Sequence, residues 1–123
     1  RPLRPWSQPS AVFADGIGMY TDTIDLIRSK EMGAGVAKAV GQLKACYLRN
    51  HGVAVVGRSL EECVILTIML ENACEIQLLV EAAGASGPEF SPEDIMKLHD
   101  KISRPEQHTI NFDYLVRKAR RAL

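Results

Sequence analysis

The sequence has no excess of charge of either sign: fifteen lysines and arginines balance fifteen aspartates and glutamates over 123 residues. No global field favours nucleic acid or an anionic membrane surface, and neither is expected as a partner. Cysteine is scarce and odd in number, three in all, and no C-x-x-C pair exists. That argues against a disulfide framework, a thiolate zinc knot and a dithiol redox motif. Cys46, Cys63 and Cys74 each sit in an apolar run, the setting of buried reduced thiols in a cytoplasmic protein. No uncharged apolar stretch reaches the roughly 18 residues of a membrane span. The start, Arg1-Pro-Leu-Arg-Pro-Trp6, has no apolar core of a signal peptide. It also begins on Arg rather than Met, from which we expect a processed chain or a fragment. Internal repeats and low-complexity segments are missing as well.

What remains is an ordinary globular composition, 46% apolar and 24% charged, which suits one α/β domain over 1–123. Pro2, Pro5 and Pro9 keep the opening irregular. Ala11-Val-Phe-Ala14 reads as a short strand closed by the turn signal Asp15-Gly-Ile-Gly18. Ser29 is placed to cap a helix in which Met32, Val36, Ala39 and Val40 recur at helical spacing, up to Gly41. Tyr47, Val53, Val55 and Val56 flank Asn50-His51-Gly52 and predict two short strands joined there. Ser59-Leu-Glu-Glu62 fits a capping box, Ser59 and Glu62 each satisfying the other's free amide, at the head of a helix running to about Ala83. Between Cys63 and Leu70 only Thr67 is polar, so this helix belongs at the centre of the packing. A chain this short cannot cover such a surface alone, which predicts a homo-oligomer. Ser91-Pro92 and Pro105 open two further helices, the last carrying Phe112, Leu115 and Val116.

Three histidines are the first candidates for chemistry. His99 stands among Lys97, Asp100 and Lys101, and His108 lies in a polar run, so both read as solvated surface residues. Their spacing matches no common metal motif. His51 breaks an apolar run at a strand end, followed by Gly52, which lets backbone approach closely. A turn residue and a ligand both fit that position. Arg117, Lys118, Arg120 and Arg121 make a basic terminus that complements a helix dipole, without the aromatic interleaving of an RNA-binding surface.

Leu48-Arg-Asn-His-Gly-Val-Ala-Val-Val-Gly-Arg-Ser-Leu-Glu-Glu62, followed by Leu70-Glu-Asn-Ala-Cys-Glu-Ile-Gln-Leu78, resembles the class II aldolase/adducin family. There, Asn-His-Gly leads through a short strand and a Gly-Lys/Arg-Ser/Thr step into a long helix. Met32-Gly-Ala-Gly-Val-Ala-Lys-Ala-Val-Gly41 is similar to the family's preceding helix. The resemblance implies a three-layer α/β/α fold, a sheet with flanking helices, of which this chain is a C-terminal portion. It implies that His51 is the third ligand of a catalytic divalent metal, zinc first, with manganese or iron as alternatives. Three imidazoles leave zinc an open position for substrate oxygens. The family's other two ligands form a His-x-His pair, residues that share one face of a strand. No His-x-His occurs here, so the missing N-terminal half is expected on a longer or a separate polypeptide.

The implied function is a metal-dependent carbon–carbon lyase that stabilises an enediolate on a small-molecule substrate. Arg4-Pro-Trp-Ser-Gln-Pro9 and Asn111-Phe-Asp-Tyr-Leu-Val-Arg-Lys118 look like the decarboxylase branch, acting on hydroxylated aromatic or oxo acids. A sugar-phosphate (fuculose-phosphate-like) aldolase and a metal-free adducin-like interaction module are the alternatives. Arg4, Arg49 and Arg117 suit a carboxylate substrate and equally suit a solvated surface. Tyr114 is a candidate proton donor, or an aromatic packing beside Phe112 and Leu115. By the same resemblance the homo-oligomer is a tetramer with active sites between subunits.

Overall fold

The computed structural model describes residues 2–84, 87–102 and 104–122. Ala11, Val12 and Phe13 are buried side by side, without the in–out alternation of a half-buried strand. They belong to a helical turn, α1 (Gln8–Ala11), and to overlapping turns in which the Phe13, Ala14 and Gly16 amides donate to the Ser10, Ala11 and Phe13 carbonyls. The strand expected at 11–14 is therefore replaced by the end of a short helix and the turns that follow it. Ser7 stands extended as the N-cap, its amide donates to the Ser10 hydroxyl, and Pro9 is tolerated in a first turn. The strand comes later, as β1 (Gly18–Tyr20), starting on the last residue of the turn signal.

α2 (Lys30–Val40) starts as foreseen, with the Ser29 hydroxyl accepting from the Met32 amide at 3.2 Å. It stops at Gly41, whose φ is 54°. β2 (Ala45–Leu48) and β3 (Gly52–Val55) form the expected antiparallel hairpin, and β1 adds to β2 in parallel. Met19, Tyr47 and Val53 share one row across this sheet. Alternation along the strands then sorts the side chains. Tyr20 and Cys46 meet Val40, Val36 and Ala39 of α2, while Ala45, Tyr47 and Val55 meet Val12, Phe13, Leu66 and Leu70 on the other side. Helices cover both faces, giving the three layers.

α3 (Leu60–Ala82) runs for 23 residues, about 35 Å. The Ser59 hydroxyl accepts from the Glu62 amide at 3.1 Å. The Glu62 carboxylate reaches the Arg58 amide at 2.7 Å rather than the Ser59 amide, so the reciprocal half of the capping box sits one residue further out. By length and composition α3 is apolar enough to cross a membrane, with mean hydropathy 1.7 over 18 residues, although no uncharged run of that length announces it. Ile65, Leu66, Leu70 and Ala73 are buried, and the helix packs against α1, β3 and α5. Leu60, Leu78 and Leu79 stay exposed and only 28% of the apolar stretch is buried, so the helix expected at the centre of the packing is only partly covered.

α4 (Pro92–Ile102) follows Ser91, whose hydroxyl accepts from the Asp94 amide. α5 (Pro105–Ala122) lies along α3. The residues ahead of α1 form a strap tied down by buried Gln77. Its amide oxygen accepts from the Arg4 amide at 2.7 Å, and its amide nitrogen donates to the Pro2 carbonyl at 3.1 Å. The Phe90 amide closes the other side on the Pro5 carbonyl at 2.9 Å.

Candidate active site

Asn50 adopts φ 53°, a left-handed conformation that asparagine tolerates better than most residues. The His51 amide then closes the turn on the Leu48 carbonyl at 3.0 Å. This fixes the His51 backbone at one end of the sheet and leaves its imidazole exposed. Close approach is not what places glycine next: a Cβ on Gly52 would meet nothing within 4 Å. Its φ of 157° is the reason, since side chains are strained there. Among the described residues no group of three His, Cys, Asp or Glu converges on a metal position. His51 thus offers one imidazole, and a divalent ion there needs further donors from outside these residues.

The other histidines lie elsewhere. His99 is half-buried on α4, in a cleft with Ala14, Asp15 and Met96, and not on an open solvated face. His108 overturns its surface assignment outright: it is 3% exposed, and its Nε2 has no hydrogen-bond partner. One face of the polar run in α5 packs on the N-terminus of α3, and that face carries His108. Burial holds its pKa below the ordinary imidazole value, opposed by Glu62 and reinforced by Lys44 and Arg58.

Tyr114 is 56% exposed whereas Phe112 and Leu115 are half-buried, so it does not pack beside them. It shares a shallow cleft with Arg117, Lys118 and Arg121 of its own helix. His51 precedes β3, whereas α5 meets the start of α3 beyond the other end of that strand. The cleft at Tyr114 does not include His51. Arg4 is engaged, its guanidinium stacked on Trp6 at 4.2 Å and bonded to Glu89. Arg49 and Arg117 are exposed.

One cleft escaped the sequence reading. Leu3, Met19, Tyr47, Cys74, Gln77, Leu78 and Glu81 line a groove of about 410 Å³ between the strap, β1 and α3. The Tyr47 hydroxyl and the Cys74 thiol lie 3.2 Å apart along it. Burial first, and then the thiol, holds the phenol well above its ordinary pKa, so it stays protonated. The strand pattern marks Tyr47 as a sheet residue, but its pairing with a residue on α3 had no local signal.

The profile of the class II aldolase and adducin N-terminal domain matches residues 1–78. Among curated proteins, the chain is 34% identical over 87 residues to the meiotically up-regulated gene 14 protein of Schizosaccharomyces pombe, covering 71% of this chain and 34% of that protein. It is 33% identical over 98 residues to decarboxylase NovR of Streptomyces niveus, covering 80% of this chain and 36% of the relative. The L-fuculose 1-phosphate aldolase from Glaciozyma antarctica superposes with a TM-score of 0.73 at 25% identity, over 92% of this chain and 41% of the aldolase. The chain thus spans about a third of the length of these curated relatives.

Proposed function

Because the chain belongs to the class II aldolase and adducin family, we propose that it is the C-terminal part of a metal-dependent carbon–carbon lyase, a decarboxylase of a hydroxylated aromatic or oxo acid. The observation that carries this reading is the Asn50-His51-Gly52 turn, which presents an imidazole at the end of the sheet in a chain similar to a decarboxylase. When bound, a divalent ion, zinc or in its place manganese or iron, supplies positive charge beside two adjacent substrate oxygens. His51 would offer it one ring nitrogen from a backbone locked by the Leu48 carbonyl and the left-handed Asn50. Tyr114 is the candidate proton donor. Its exposure on α5 leaves it open to a neighbouring subunit's site in a homo-oligomer, in our reading a cytoplasmic tetramer.

The likeness to the L-fuculose 1-phosphate aldolase supports a second reading, cleavage of a sugar phosphate. One experiment separates them. Metal content, carbon dioxide release from hydroxylated aromatic and oxo acids, and cleavage of sugar phosphates are measured on the chain alone and on the complete polypeptide. We expect metal and carbon dioxide release from the complete protein and neither from the chain. Sugar-phosphate cleavage without carbon dioxide would favour the aldolase. A complete protein with neither metal nor turnover would leave an adducin-like interaction module.

A further inference from the structure

His108 is 97% enclosed where the first turn of α5 meets the first turn of α3, and its Nε2 atom is sealed from solvent without a hydrogen-bond partner. Arg58, Ser59, Glu61, Glu62, Pro105 and Thr109 complete the cleft around it. The charged groups acting on the imidazole come from three elements: Glu62 from α3, Arg58 from the segment between β3 and α3, and Lys44 from the segment before β2. With Glu61, which also lines the cleft, they are two carboxylates and two cations. The Glu62 carboxylate is already engaged, accepting from the Arg58 amide at 2.7 Å with the Arg58 guanidinium 3.7 Å away. A proton on His108 would put a charge into an enclosed site where its Nε2 has no acceptor and the Glu62 carboxylate is already engaged.

We propose that His108 makes the docking of the C-terminal helix α5 acid-labile, α5 loosening from the head of α3 once the imidazole takes a proton. The inference does not rest on the catalytic reading, since its observations are the enclosure of His108 and the charges around it. The sign follows from the burial that depresses the imidazole's pKa. The undocked imidazole protonates near its ordinary value of about 6.5, while the docked one resists. Docking is therefore fully favourable above about pH 6.5 and weakens as pH falls below it. A helix that carries Tyr114 and the basic cluster Arg117, Lys118 and Arg121 would then be released in mildly acidic conditions.

Hydrogen exchange of the complete polypeptide, compared at about pH 7.5 and about pH 5 after correction for intrinsic chemistry, reads this directly. Amides of 106–112 should lose protection relative to those of α2, by up to about 30-fold, the ceiling set by an imidazole that protonates only when undocked. His108→Leu, which cannot titrate, should flatten that ratio. An unchanged ratio in the wild type, or an equal loss in His108→Leu, would overturn the proposal. Should the variant not fold, ¹³C-histidine NMR of the wild-type protein decides: a His108 midpoint below about 6.5 that tracks the loss of α5 protection supports it. A midpoint at or above that value refutes it.

Discussion

Three glycines near the same layer boundary should respond to alanine in three different ways. A methyl group on Gly18 would lie 2.9 Å from the Ala39 carbonyl carbon, closer still to its oxygen, and 3.3 Å from Cys46 Cβ. Carbon atoms pack at about 3.5–4.0 Å, so the last turn of α2 has to retreat by roughly an ångström from the Tyr20–Val40–Cys46 cluster. Overpacking of a core costs about 1–3 kcal/mol. Main chain at a helix end cannot rotate aside as a side chain can, so Gly18→Ala belongs near the upper figure, about 3 kcal/mol. On Gly35 the same methyl meets the Tyr20 ring at 2.8 Å. That ring can tilt, and the gain of about 1 kcal/mol from replacing a helical glycine offsets much of the strain. Gly33, on the same helix, faces open space, with nothing within 4 Å. Gly33→Ala should stabilise by about 1 kcal/mol. Urea unfolding of the complete polypeptide at one fixed concentration should rank Gly18→Ala below Gly35→Ala, and that below wild type and Gly33→Ala. The spread of about 4 kcal/mol corresponds to more than about 1 M in midpoint. A Gly18→Ala protein within about 0.5 kcal/mol of wild type would show that α2 does not bear on β1 as described.

Gln77→Leu should free the strap, because it leaves the Arg4 amide and the Pro2 carbonyl without their partner; limited proteolysis near residues 2–6 should accelerate, with a stability loss of about 1–3 kcal/mol. Ser59→Ala removes the acceptor for the Glu62 amide and should lower stability by about 1 kcal/mol, read as the same urea midpoint. Leu66→Ala opens the cluster of Val12, Phe13, Ala45 and Leu70, and a loss of about 3–5 kcal/mol is expected from calorimetry or urea unfolding.

The signals that proved legible were local ones. Ser29 and Ser59 cap their helices because a hydroxyl three residues ahead of a free amide needs no tertiary help. The Asn50-His51-Gly52 turn was readable for the same reason, its unusual dihedrals demanding those residue types. The failures were places where tertiary packing decided. Ala11, Val12 and Phe13 carry strand-forming and apolar character, yet three adjacent buried side chains fit a helical turn between α3 and the sheet. Gly18 looked like turn punctuation, whereas it is a strand residue with the Ala39 carbonyl against it. His108 sits in a polar stretch, and only the packing of α5 on α3 shows that its face is inward. At the candidate site the turn that presents His51 was visible, and among the described residues no second and third donor join it.

The most direct test of the central claim is His51→Ala in the complete polypeptide, with bound metal and carbon dioxide release measured on the same preparation. The exposed turn position makes a folding defect from this change small, since the imidazole is not part of either core cluster. The account predicts that metal and turnover are lost together while the urea midpoint of the metal-free protein stays within about 0.5 kcal/mol of the metal-free wild type. Stoichiometric metal and normal turnover in the variant would contradict it.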